Sequence, residues 1–98
     1  MAVFALISDK PQADLRGAVD RIFDGKSFHV NGCVSMVMYN GTARTLSEVL
    51  GVKHTKADGS TVGSITDVIV TQLAPSYWGW ANSELWTWLK NAHEWQGV

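Results

Sequence analysis

Six apolar residues in a row, Ala2-Val3-Phe4-Ala5-Leu6-Ile7, open the chain with no helix-capping residue ahead of them. A short unbroken apolar run of this kind fits a central β-strand covered on both faces. Such a strand needs neighbours at its two edges and a layer on each side, and this requirement organises the rest of the reading. Ser8-Asp9-Lys10-Pro11 ends the run. Leu15, Ala18, Val19, Ile22 and Phe23 then recur at helical spacing, which predicts an amphipathic helix with Asp14, Arg16, Asp20 and Arg21 toward water. Asp9 followed by Gln12 makes a weakened capping box at its start, and Gly25 is the expected left-handed stop.

A hairpin is predicted next. Residues 28–30 and 33–39 flank Asn31-Gly32, a pair suited to a two-residue type I′ turn because both positions need positive φ. Asn40-Gly41 ends the second strand. Thr45 and Glu48 suggest a capping box for a short helix carrying Leu46, Val49 and Leu50, closed by Gly51. Residues 53–63 are polar and rich in Gly and Thr, and read as a mobile loop. Residues 65–73 are β-branched and apolar, a further strand ended by Pro75. After a loop over 76–81, Asn82 or Ser83 caps a last helix whose stripe is Leu85, Trp88, Leu89, Ala92 and Trp95.

The order strand, helix, strand, strand, helix, strand predicts an α+β fold, a ferredoxin-like βαββαβ sandwich with an added C-terminal helix. It is read as a single domain over residues 1–98, with a Trp-rich loop and helix at about 76–96. The first and third strands should lie side by side in the middle of the sheet, with both crossover helices on one face. The other face is bare unless the last helix or a second subunit covers it.

Composition narrows the function classes. At 98 residues the chain supports one modest core, and 46% apolar with 17% charged residues is globular composition. The lone Cys33 excludes an internal disulfide and a cysteine-built zinc site, which makes a reducing, cytoplasmic setting the expectation. No apolar run reaches the ~20 residues of a membrane span, and the first ten residues lack the basic start of a signal peptide. A net charge of −1 weakens electrostatic capture of nucleic acid.

Asn40-Gly41-Thr42 leading into Leu46-Ser47-Glu48-Val49-Leu50-Gly51, and Ser76-Tyr77-Trp78-Gly79 before Ala81-Asn82 and Leu85-Trp86-Thr87-Trp88-Leu89-Lys90, carry a resemblance. The chain resembles small bacterial and phage-borne proteins labelled SinR-like, over most of residues 3–90. In that pattern an arginine usually follows the glycine, where this chain has Trp80, so a cation that could hold an anion is missing. The resemblance implies no particular activity, and the chain has no helix-turn-helix pattern that would suit a repressor. More remotely, the element order with an Asp after the first strand is similar to small CRISPR-associated nuclease-like subunits, which act as dimers. That similarity implies a metal held between the aspartates of two subunits, a role only Asp9 could take here.

From the residues themselves, Asp9 is either such a metal ligand or a helix N-cap, where it would accept a backbone hydrogen bond and meet the helix dipole. His29, His54 and His93 with Cys33 show no metal-ligand spacing. Cys33 beside His29 would suggest a thiol nucleophile only if the ring reached it, and Ser8, Ser35 and Ser47 lack a nucleophile-elbow context. Gly59 and Gly63 do not form a phosphate loop. No cofactor signature is present.

The unusual feature is tryptophan. Trp78, Trp80, Trp86, Trp88 and Trp95 fall within eighteen residues, with Tyr77 beside them. Trp88 and Trp95 share the helix stripe, whereas Trp86 lies roughly 100–160° off it and should face outward. The indoles can fill the edges of the bare sheet face, build a subunit contact, or stack on bases or sugars. Three function classes follow. The first is a non-enzymatic interaction module, expected to form a homodimer or to hold an unidentified protein partner through Tyr77, Trp78, Trp80 and Trp86. The second is a metal-dependent phosphodiesterase using Asp9, disfavoured because no carboxylate cluster is evident. The third is a single-strand nucleic-acid binder with Lys53, His54 and Lys56 as a small basic patch, disfavoured by the net charge. The first reading is preferred.

Overall fold

The computed structural model describes residues 2–74 and 83–96, with side chains described up to Ala92 in the last helix. Met1, residues 75–82 and residues 97–98 lie outside it, and with them Tyr77, Trp78 and Trp80. The elements run β1 (Ala2–Ser8), α1 (Ala13–Ile22), β2 (Ser27–His29), β3 (Val34–Tyr39), α2 (Ala43–Leu50), β4 (His54–Thr55), β5 (Thr61–Val62), β6 (Val68–Leu73) and α3 (Ser83–Gln96). Four strands form an antiparallel sheet in the order β2-β3-β1-β6, and β4 and β5 form a separate small hairpin. The fold is α+β, with β1 central and paired to β3 and β6.

The alternation of β1 divides the molecule into two cores. Phe4 and Leu6 turn toward α1 and α2, where they pack with Leu15, Ala18, Val19, Phe23, Val37, Leu46, Leu50 and Ile65. Val3 turns the other way, into a smaller core with Leu85, Leu89 and Ala92 of α3, flanked by Phe28, Met36, Met38 and Leu73. Both faces of β1 are therefore covered from Val3 to Leu6, while Ile7 at the end of the apolar run is exposed. Ile22 is the exception on the α1 stripe: it is exposed, because the helix ends there and the chain turns away through Phe23.

Several local expectations are corrected. The N-cap of α1 is Gln12, not Asp9. It makes no side-chain cap bond, and its Nε2 instead donates to the Thr66 carbonyl at 2.7 Å, tying α1 to the entry of β6. The N-cap of α2 is Thr42, with Thr45 as the reciprocal partner, one turn before the predicted Thr45–Glu48 box. Glycine does close α2, at φ 87° in Gly51. The β2–β3 turn is not type I′, for neither Asn31 nor Gly32 has positive φ. The Asn31 side chain accepts from the amides of Cys33 and Val34 at 2.7 and 2.9 Å, and this Asx turn lengthens the loop.

The polar stretch over 53–63 is an ordered hairpin, not an irregular loop. Asp58 Oδ1 accepts from the Ser60 amide and hydroxyl, and Gly59 supplies φ 87° at the tip. Asp58-Gly59 is itself a hairpin signal that the lack of apolar residues obscured. The strand predicted over 65–73 starts later, at Val68, because Asp67 sits at φ 59° and breaks the extended run. Ile65 is buried in the first core instead.

Tyr39 joins the sheet to α2. Its ring meets Phe4 and Phe23 edge-on at 6.0 and 6.1 Å, and its hydroxyl donates to Thr45 Oγ1 at 3.1 Å. Gly41 passes beneath: a Cβ there would lie 2.6 Å from the Tyr39 ring and 2.9 Å from Thr45 Oγ1. Gly41→Ala is expected to cost roughly 1–3 kcal/mol by forcing that ring to move. Gly17→Ala, inside α1 with nothing within 4 Å of the new methyl, is expected to add about 0.5–1 kcal/mol. Urea denaturation of the two variants checks both signs.

Candidate functional site

Among the described residues the α3 face of the sheet is covered at one end and open at the other. Strand register places side chains on that face in rows that cross the sheet. Met38, Val3 and Leu73 form one row and Phe28, Met36, Ala5 and Thr71 the next. The second core involves every member of these rows except Ala5 and Thr71. The third row is Val34, Ile7 and Ile69, continued beyond β2 by Val30, whose amide donates to the Val34 carbonyl at 2.9 Å. All four are β-branched and apolar, and among the described residues the second core includes none of them. Ile69 is 65% exposed, Ile7 42% and Val30 37%, and Val34 is half-buried. At ~4.8 Å per strand the row spans about 14 Å. Sequence reasoning missed it because residues 2–7 and 65–73 read as uniformly apolar. Only the register says which residues align, and only the path of α3 says which it leaves bare.

Trp86 is placed differently from expectation. It is half-buried and packs against the second core rather than pointing away from it. Its neighbours Leu85 and Leu89 are buried, as the helix stripe predicted. Trp88 is also half-buried and meets the Phe28 ring at 6.2 Å in a tilted arrangement. It lines two open grooves, one of about 410 Å³ with Asp24, Lys26, Met38 and Asn91, the other of about 340 Å³ with Phe28, Glu84 and Thr87. Tyr77, Trp78 and Trp80 lie outside the described residues.

Asp9 is exposed just past β1 and lines an open cleft of about 440 Å³ with Ile7, Ser8, Asp67, Val68 and Ile69. Asp67 is thus brought to the same end of the sheet, a proximity that fifty-eight residues of separation concealed. Among the described residues no group of three or more His, Cys, Asp or Glu could hold a metal. His54 directs Nδ1 to the Val52 carbonyl at 2.9 Å, so its ring is fixed by its own turn and not presented with Lys53 and Lys56.

His29 does not reach for Cys33. Its Nδ1 lies 2.7 Å from Ser35 Oγ across the β2–β3 pair, and its Nε2 lies 2.7 Å from Asp20 Oδ1 on α1. With Nε2–H donating to the carboxylate, Nδ1 is left to accept the Ser35 hydroxyl proton, the tautomer logic of a serine–histidine–aspartate relay. The void lined by Ser8, Gln12, Arg16, Cys33 and Ser35 measures about 10 Å³, room for about one water and no substrate. The relay acts as a tie that holds α1 to the short β2 edge.

Comparison with protein-family models, with curated proteins and with solved structures finds no match. Among the described residues no helix is long and apolar enough to cross a membrane.

His29→Ala removes both ends of the tie and is expected to cost about 1–2 kcal/mol in chemical denaturation. Asp9→Ala, which removes no cap, is expected to stay within about 0.5 kcal/mol of the parent. In the hairpin, hydrogen bonds from the Ser60 hydroxyl and amide hold the Asp58 carboxyl below its usual value. A carboxyl lowered on folding supports the hairpin above the ordinary carboxylate range, and the support fades as pH falls through the lowered value. Ser60→Ala is expected to move the Asp58 titration, followed by NMR, back up toward that ordinary range.

Proposed function

We propose that this chain is a small non-enzymatic interaction module that self-associates as a homodimer in the cytoplasm. The observation that supports this reading is the uncovered row Val30, Val34, Ile7 and Ile69, which crosses the whole sheet beside α3. Scattered exposed apolar residues are ordinary, but an aligned row of four is a surface that association removes from water. A twofold contact uses the same row on both copies, so each side chain counts twice. The candidate residues Tyr77, Trp78, Trp80 and Trp86 belong to the same reading, with Trp86 contributing the part of its ring that its own core leaves open. The strand order, with α1 and α2 on one face and β4–β5 inserted before β6, supports a ferredoxin-like βαββαβ sandwich with an added helix.

A second reading draws on Asp9 and Asp67, two carboxylates in one cleft at the end of the sheet. It makes the chain a metal-dependent phosphodiesterase of the CRISPR-subunit type. Cleavage of RNA or DNA with magnesium or manganese, lost in Asp9→Asn, would favour it over the first.

Light scattering tests the preferred reading. The expected result is a mass approaching twice 10.7 kDa at high protein concentration, with Ile69→Asp returning the monomer while the circular dichroism spectrum is unchanged. A monomer at every concentration overturns it.

A further inference from the structure

The two edges of the sheet are not alike. The β2 edge is three residues long, too short to template another strand, and is braced by the His29 tie to Asp20. The β6 edge is six residues long, Val68-Ile69-Val70-Thr71-Gln72-Leu73. Among the described residues β6 pairs with β1 alone. An edge strand presents a row of unpaired amides and carbonyls, and proteins that stay monomeric guard such an edge with lysine, proline, a bulge or a very short strand. β6 carries none of these. It has no charge and no proline, and its register with β1 is continuous from Val68 to Leu73.

We infer that the partner of this edge is a second copy of the chain, and that two β6 strands pair antiparallel about a twofold axis to join the two sheets. This rests on the self-association reading above and specifies its contact. Three features favour a second copy over another protein. An antiparallel strand pair is self-complementary, so one edge supplies both halves. The strand is uncharged and asks for no oppositely charged partner. Ile69, the most exposed large apolar side chain named in the structure, lies on this edge and ends the bare row, so edge pairing carries that row toward the partner's own. The size of the contact sets its strength. Six residues extend about 20 Å, and a strip that long and ~10 Å wide covers roughly 200 Å², well short of the ~800 Å² per partner of a standard interface. The dimer is therefore one that dissociates on dilution, not an obligate one.

Gln72 and Ile7 separate edge pairing from face packing. Gln72 is exposed on β6 and lies opposite Phe4, on the α1–α2 face and away from the bare row. Ile7 lies in the row but on the central strand. The experiment measures the dissociation constant by analytical ultracentrifugation and amide exchange at low and high concentration. Edge pairing expects new protection at high concentration confined to residues 68–73. It expects Gln72→Lys to raise the constant about tenfold by setting a charged side chain from each copy into the new seam, and Ile7→Thr to change it by less than about threefold. A dimer weakened by Ile7→Thr, indifferent to Gln72→Lys and without added β6 protection overturns edge pairing and leaves self-association standing. A monomer throughout overturns both.

Discussion

Everything else in this molecule is arranged around a strand that is buried on both faces from Val3 to Leu6. Val3, Phe4, Ala5 and Leu6 are buried in succession, so β1 serves both cores at once. Burying each such side chain is worth roughly 1.5–3 kcal/mol only if both layers are present. The α1–α2 layer alone would leave Val3 and its flanking methionines in water. The α3 layer alone has too few buried residues to stand by itself. The two cores are coupled through one backbone, and α3 is a structural necessity before it is anything else.

That necessity also explains why the indoles are where they are. Met36, Met38, Phe28 and Leu73 form a broad, uneven floor, and Trp86 and Trp88 spread across it on either side of the Leu85–Leu89 ridge. A helix of 14 residues is about 21 Å long. Its described side chains meet the first two rows of the sheet, so the bare row follows from where α3 lies and not from any local peculiarity of β1 or β6.

How much of this was legible in the residues depends on the scale of the interaction. The apolar run of β1, the stripes of α1 and α3 and the Gly51 stop are one-dimensional signals, and they placed the elements correctly. The caps were misjudged where two hydroxyls competed: Thr42 and Thr45 are both good N-caps, and only the path around Gly41 and Tyr39 selects Thr42. Asp9 was read as a cap because nothing local reveals that Gln12 is recruited by Thr66, fifty-four residues away. The outward Trp86 failed because its angle to the helix stripe ignored the width of the sheet beneath. The bare row and the Asp9–Asp67 proximity are products of register, which a single chain's pattern does not encode.

Every tryptophan of the chain falls between residues 78 and 95, and the two whose side chains are described, Trp86 and Trp88, pack against the smaller core. Among the described residues the larger core, with Phe4, Phe23 and Tyr39, contains no tryptophan. The emission of Trp86 and Trp88 therefore reports on the smaller core, while the backbone signal is shared with α1 and α2. The smaller core has four buried members among the described residues and is the natural candidate for opening first. Unfolding followed by fluorescence and by ellipticity then need not coincide, and a single transition free energy taken from the indoles alone would describe the release of one helix rather than the melting of the fold.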